Sequence, residues 1–427
     1  MSERLNLPVM RLTRNQRVRW AVPAAVAVAV TGAFVAPPLI ATASNAGVPD
    51  VTAEELLTQA LEAEPAPLSG TVVYTARLGL PEIPFAEMGG ADPIALLGGS
   101  STMRVWSDGT DRSRISLLGA ASEYSVVRDG TDAWTYSSAD DEVVHYGLSA
   151  EDEAQVEAMK AQLEAEPAPE VMGDLPTPDE AATYALERAE EFANVSVDGQ
   201  TTIAGRAAHQ LVVTPKSTAT LVARIVVAVD AETSNPLRVQ VWSTQDAAVP
   251  ALEIGFTDVT FTTPDPAVLE FSAPAGASVR EVVVPLPDPP PAAELEALKE
   301  LEGMKGADGT HMAPEGVTVT GSGWETVVEV AGLDVAQLLA GDPAALATVP
   351  GAERTIASES AQGLLEEFDH GEDAPGMSLD MTTLYGQLTT EVPEGRLLSS
   401  TLLSILVTDD GRVLVGAVPA ATLRAMA

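Results

Sequence analysis

The chain has no cysteine. Disulfides, thiolate nucleophiles, cysteine-ligated metals and lipidation at a lipobox cysteine are all excluded by that one absence. Aromatic residues are scarce, at 4% of 427 positions. Any apolar cavity must therefore be lined mostly by Leu, Ile, Val and Met. Histidine is rarer still. His145, His209, His311 and His370 are far apart, and none has the H-x-H or H-x-x-x-H spacing that puts two imidazoles on one metal. No G-x-S-x-G elbow, P-loop or G-x-G-x-x-G is present, so hydrolase, nucleotide and dinucleotide chemistry lack their usual signatures. Paired carboxylates such as Glu54/Glu55, Asp140/Asp141 and Asp409/Asp410 read as solvated faces and turns. No catalytic residue, metal ligand or cofactor is assigned, and the chain reads as a non-enzyme.

Basic residues are also few, 23 against 62 acidic ones. They are concentrated at the start. Arg4, Arg11, Arg14, Arg17 and Arg19 precede an uncharged apolar run from Trp20 to Ile40, followed by small residues. A basic stretch, an apolar stretch and a small-residue site make an export signal. It is either cleaved after Ala43 or Ala46, or kept as a membrane anchor with its arginines in the cytoplasm. Residues 1–43 hold five Arg and one Glu, which leaves 18 basic and 61 acidic residues and a net charge of −43. A surface that acidic repels phosphate backbones, so nucleic acid is not a partner. The expected location is the extracytoplasmic face of the membrane, or the medium beyond it, with membrane contact through the N-terminal segment.

At 427 residues with 46% hydrophobic content, the chain can build one large domain and a smaller one. Thr52 and Glu55 have capping-box spacing before an amphipathic helix over 52–64. "GTVVYTARLGL" then alternates at period two, and "TMRVW", "RISLL", "YSVV", "AWTY" and "VVHYGL" follow at close spacing, which predicts an antiparallel meander. Residues 81–100 interrupt it with a Pro/Gly-rich loop carrying Ile83, Phe85, Met88, Leu96 and Leu97, either a flap or a plain crossover. A second helix starts at Thr177 with Pro178 at its first position and runs to Phe192. Strands resume in "HQLVVTP", "ARIVVAVD", "LRVQVW" and "LEIGFTDV". The Pro-rich, charged stretch 285–316 is a linker. The division expected is a signal or anchor over 1–46, a main domain over 47–284, the linker, and a small accessory lobe over 317–427.

The tetrapeptide DGTD occurs at Asp108–Asp111 and again at Asp129–Asp132. A calcium loop needs more oxygen ligands at alternating positions and a closing bidentate Glu, and neither loop has that register. Asp-Gly between strand-like flanks is instead a hairpin signal. Both are read as corners of a sheet, as is Asp410-Gly411.

Three stretches together resemble the LolA family of periplasmic lipoprotein carriers and the related RseB/MucB sensors. Asp129, Gly130, Trp134 and Tyr136 match a DG-x-x-x-W-x-Y hairpin; Gly205, Leu211, Pro215, Asp230, Pro236 and Leu237 match a later strand pair; "DPAVLEFSAPAGASV" over 265–279 matches the closing segment. The likeness spans roughly 50–280, and the two-lobe outline leans towards the RseB side. The resemblance implies an α+β, mainly β fold: an incompletely closed, strongly curved antiparallel half-barrel with helices plugging its concave side, plus a small C-terminal lobe. It also implies an apolar cavity for lipid or lipoprotein acyl chains. Tyr74, Val105, Leu117, Trp134, Ile225, Val227, Val241, Ile254 and Phe256 are the cavity candidates, each with the alternative of being plain core. Tyr184, Ala185, Leu186 and Phe192 would form the underside of a lid helix or ordinary helix-on-sheet packing. Trp106, Trp134 and Trp242 are candidates for the rim, and Arg112 and Arg114 for a headgroup contact. Two uses of such a container stay open: a lipid or lipoprotein carrier, or an RseB-like regulator that binds a membrane anti-sigma factor.

Overall fold

The structure is a computed structural model that describes residues 51–63, 65–81, 91, 93–150, 152–154, 156, 190–283, 316–339 and 381–427. The N-terminal segment, the helix from Thr177 with Tyr184, Ala185 and Leu186, and the linker up to 315 lie outside them. So do Ile83, Phe85 and Met88 of the 81–100 loop. Among the described residues no helix is long and apolar enough to cross a membrane.

The fold is mainly β. A first meander runs through β1 (Leu68–Ala76), β2 (Gly99–Ser107), β3 (Arg112–Leu118), β4 (Glu123–Asp129), β5 (Asp132–Ser137) and β6 (Glu142–Gly147). A second comprises β7 (Ala193–Ile203), β8 (Arg206–Pro215), β9 (Val222–Asp230), β10 (Pro236–Ser243) and β11 (Leu252–Thr260). Pairing of β1 with β11 joins the two, Tyr74 opposite Ile254. The strand β12 (Ser278–Val283) then returns to the far edge beside β6. The result is one twelve-stranded curved sheet in the order β12-β6-β5-β4-β3-β2-β1-β11-β10-β9-β8-β7, with edges at β12 and β7 that do not meet.

The expectation of an antiparallel sheet needs one correction. β12 lies parallel to β6, Ser278 opposite Glu142 and Val283 opposite Gly147. A parallel return requires a crossover. The chain supplies it through β7–β11 and the one-turn helix α2 (Pro266–Leu269), capped by the Asp265 carboxylate on the Ala267 amide.

Both DGTD segments are corners. Gly109 (φ +85°) and Gly130 (φ +61°) adopt the left-handed backbone that the turns need. The Asp108 carboxylate is consumed by its own loop, accepting from the Thr110 amide and hydroxyl and the Arg112 amide at 2.8–3.1 Å. A further Asp-Gly pair, Asp198-Gly199, is not a corner. It sits inside β7, where the register with β8 slips between Val197 and Gln200.

Strand alternation places the core. β10, PLRVQVWS, buries Leu237, Val239, Val241 and Ser243 and leaves the residues between them partly exposed. The helix α1 (Ala53–Glu62) begins with the expected capping box: the Glu55 amide donates to the Thr52 hydroxyl at 3.2 Å, and the Thr52 amide donates to the Glu55 carboxylate at 2.8 Å. Its Leu56, 1% exposed, packs on Leu211 and Val229. We expect Thr52→Ala to speed amide exchange in the first turn of α1 several-fold while β10 is unchanged. Unchanged exchange in α1 would mean that packing of Leu56, not the cap, holds the helix.

A second, six-stranded sheet runs in the order β13-β14-β18-β17-β16-β15. Its strands are β13 (Val317–Thr320), β14 (Val327–Val330), β15 (Thr390–Val392), β16 (Gly395–Ser399), β17 (Ser404–Thr408) and β18 (Val413–Gly416). Helices α3 (Val335–Leu339), α4 (Met381–Leu388) and α5 (Ala420–Met426) accompany it. Leu406, Leu414 and Leu423, each 0% exposed, centre its own small core.

Candidate functional site

The register assigns every strand residue to one of two faces of the large sheet. Tyr74 stands opposite Ile254, Ile254 opposite Val239, Val239 opposite Val227 and Val227 opposite Leu211. In the other direction Val72 stands opposite Met103, Met103 opposite Leu117 and Leu117 opposite Tyr124. An apolar band therefore crosses the sheet without a break from β4 to β8. Eight of the nine cavity candidates lie on this Tyr74 face: Tyr74, Val105, Leu117, Ile225, Val227, Val241, Ile254 and Phe256. All but Val227 are buried, and Val227 touches both the main core and the cluster under α1. Burial raises the Tyr74 phenol above its ordinary value of 10.0, so the ring stays neutral.

This face is covered by elements from elsewhere in the chain. Ala91 and Leu96 of the interrupting loop, Phe192, Trp324 and Leu402 all pack into the same cluster. The loop is pinned where the Ala91 amide donates to the Ser122 hydroxyl at 2.7 Å. Phe192, the described member of the four lid residues, lies against Gly323 of the second sheet.

Trp134 lies on the opposite face. It stacks on His145 (ring centroids 4.9 Å apart, planes at 8°) and on Phe271 (5.6 Å, 11°). Trp106 shares that face through the row Trp106–Arg114–Val127–Trp134–His145. Trp242 does too, under the Arg224 guanidinium at 4.2 Å. Parity along a strand explains the split: Trp134 pairs with Val127, one position out of step with Tyr124 and Val126. The tryptophans accordingly do not ring the mouth of the Tyr74 face.

Arg112 and Arg114 are also on the Trp134 face and are engaged within the chain. Arg112 donates to the Pro266 carbonyl at 3.2 Å and lies 3.6 Å from Asp129; Arg114 lies 3.8 Å from Glu123. Beside them is an open cleft of about 480 Å³ lined by Arg114, Glu123, Tyr136, Phe271 and Pro274 among others. It is polar as well as apolar and shallow. Among the described residues no group of three or more His, Asp or Glu side chains is arranged to hold a metal ion.

The second sheet docks on one end of the first. The Leu221 amide and the Thr220 hydroxyl both donate to the Ala417 carbonyl at 2.8 Å. The Ser243 hydroxyl donates to the Thr401 carbonyl at 2.6 Å, and the Thr401 amide to the Leu78 carbonyl at 2.8 Å. Trp324, 7% exposed, and Leu402 fill the centre of this seam. Sequence reasoning missed both, and it also missed the partners of His145. A signal existed for Trp324, the sole tryptophan of the second sheet, between two strand-like runs.

The resemblance motifs converge here. Trp134 of the hairpin motif meets Phe271 of the closing motif, whose Leu269 is 2% exposed. Asp230 and Leu237 of the middle motif are buried, at 1% and 0%. Most of these positions build corners and covers; Leu211 and Leu237 of the middle motif also belong to the apolar face.

No family model matches the chain, and no curated protein does. Among solved structures it is similar to the MucA/MucB complex of Pseudomonas aeruginosa, at 15% identity over 87% of this chain and 96% of that one, with a TM-score of 0.38. It is similar to an uncharacterized conserved protein from Thermus thermophilus, at 13% identity, 54% of this chain, 98% of that one and a TM-score of 0.30. A LolA superfamily protein from Nitrosomonas europaea is 11% identical over 52% of this chain and 99% of its own, with a TM-score of 0.20.

Proposed function

We propose that this is an extracytoplasmic binding protein that takes acyl chains of a lipid or lipoprotein onto the Tyr74 face, without catalysis. The observation that carries the reading is the unbroken apolar band from β4 to β8, covered by a loop, a helix end and the edge of the second sheet. Burial of an acyl chain is worth roughly 0.8 kcal/mol per methylene, so a diacyl ligand can compete with the covering side chains. Uptake then requires displacement of Leu96 and its loop, and release is a motion of that cover. On this reading residues 47–284 hold the ligand, 285–316 link it to the accessory lobe at 317–427, and residues 1–46 export or tether the protein.

Native mass spectrometry of the protein purified from its host's envelope, with organic extraction of bound species, tests this. A mass increment that extracts as a diacyl or longer lipid is the expected outcome. A clean apo mass, with no uptake when lipid is added, would overturn the carrier reading.

One observation favours the RseB-like alternative. The edge strand β13 of the second sheet exposes Val319 at 52%, a position open to a protein partner. That reading expects a membrane protein to copurify with the full chain and to be lost when 317–427 is deleted.

A further inference from the structure

His145 is held in an arrangement that neither the apolar face nor the accessory lobe uses. It lies on β6, next to the sheet edge. Its Nε2 is 2.8 Å from Asp132 Oδ1 on β5, and its Nδ1 is 2.5 Å from Glu281 Oε2 on β12. Ionised carboxylates only accept hydrogen bonds, so a ring bonded to one through each nitrogen must carry both protons. In its protonated form the ring is an imidazolium clamped between two carboxylates on three adjacent strands. Trp134 stacks on one side of it, and a cation against an indole face gains further stabilisation.

We infer that His145 is a proton-operated latch that fastens the edge strand β12 to the large sheet. The strand needs such a fastening. It is six residues long, pairs on one side only, and exposes Val279 at 55% and Val283 at 40%.

Among the described residues the surroundings contain no competing cation. On β5 the same face carries Asp132, Trp134 and Tyr136, whose hydroxyl bonds Asp141 at 3.4 Å. On β12 it carries Glu281. In the covering segment Phe271 stacks beyond Trp134, and Glu270 is paired with Arg112 at 3.9 Å. Along the row Arg114 is paired with Glu123. Arg280 faces the other way, towards Glu142 at 3.4 Å.

Partial burial is the largest single influence on the ring and pulls its pKa down. The hydrogen bonds and charges of Asp132 and Glu281 together outweigh it and leave the value above the ordinary 6.5. A raised value in the folded state means the latch is fully present below the ordinary histidine range and is lost as pH rises through the folded value. Strand β12 is thus tight in acid and looser in alkali. Its backbone ladder to β6, the Ser278 amide bond to the Asp141 carbonyl at 2.9 Å and the Arg280–Glu142 pair hold the strand without His145, so it is loosened rather than lost.

Hydrogen exchange of the full chain between about pH 5.5 and about pH 8.5, corrected for intrinsic rates, tests the latch. Protection of Ser278–Val283 relative to β10 should fall roughly two- to fivefold across that range, as suits a partly exposed ion pair. The fall should vanish in His145→Gln. Protection that is flat with pH in the wild type, or that falls equally in His145→Gln, overturns the inference. Glu281→Gln keeps the strand's shape and supplies a second check. Nuclear magnetic resonance of the His145 ring should then show a lower pKa, and an unchanged value would show that Glu281 does not hold the proton.

Discussion

Asp230→Ala should lower the unfolding free energy by about 3–5 kcal/mol, among the largest losses available from a single side chain in this protein. The Asp230 side chain is 1% exposed, yet it is charged. Arg206 donates to both of its oxygens, Nε at 2.5 Å and Nη2 at 2.9 Å. The amides of Glu232 and Thr233 and the Thr233 hydroxyl donate to Oδ1 at 2.8–3.1 Å. One carboxylate thereby ties β8 to the end of β9 and shapes the turn into β10. Removing it strands a guanidinium that, among the described residues, retains Glu232 at 3.0 Å and the Phe261 ring at 4.8 Å. Denaturant unfolding would reveal the loss, and a change below about 1 kcal/mol would show that water or Glu232 replaces the carboxylate.

The same group has a pH signature. Burial alone would raise the Asp230 pKa; the bonds from Arg206, Thr233 and Glu232 outweigh it and hold the value below the ordinary 3.8. A depressed folded value means the contribution is complete above the ordinary aspartate range and is lost as pH falls through the folded value. The difference in stability between wild type and Asp230→Asn should therefore be constant near neutrality and shrink in strong acid. Taking the difference matters because the net charge of −39 also changes over that range.

Trp324→Ala should cost about 3–5 kcal/mol and split one coupled unfolding transition into two. Trp324 occupies a short turn (Gly323–Glu325) between β13 and β14 and enters the core of the large sheet, not that of its own. Its neighbours in the turn also face the seam. The Ser217 hydroxyl donates to Glu325, and the Phe192 ring lies so close to Gly323 that an added Cβ would be 2.5 Å from it. The hydrogen bonds to Ala417 and Thr401 flank this plug but do not fill it. Without the indole the second sheet keeps its own core of Leu406, Leu414 and Leu423 and loses its seat. Calorimetry should resolve two separate peaks; a single peak at the wild-type temperature would place the docking energy in the hydrogen bonds. Trp324→Phe should be much milder, because the buried indole nitrogen has no hydrogen-bond partner among the described residues and phenylalanine removes that unmet donor.

Much of the architecture is legible along the chain. Asp108-Gly109, Asp129-Gly130 and Asp410-Gly411 sit at corners because aspartate and glycine accept tight-turn backbone cheaply, and that preference is local. The capping box at Thr52 is local too, and the structure forms both of its bonds. Period-two alternation correctly groups Ile225 with Val227, Tyr74 with Val72, and Ile254 with Phe256, since neighbours two apart on a strand share a face. The lack of cysteine and the sparse, scattered histidines rule out thiol chemistry and the histidine metal spacings before any fold is drawn.

What alternation leaves open is how one strand's faces match the next strand's. That parity is set by cross-strand register, and it moved Trp134 away from the other cavity candidates and onto His145 and Phe271. Pairings between distant segments were beyond reach for the same reason. Nothing local in "SVREVV" says that it will lie parallel to β6, some 135 residues earlier, and bring Glu281 to His145. Nor does the turn around Trp324 say which core the indole will enter. Composition and short-range pattern determined the strands, the corners and the excluded chemistries. The Trp324 seat exists because one sheet docks on another, and the Asp132–His145–Glu281 clamp because β12 pairs with the distant β6; both are decided by the free energy of the whole fold.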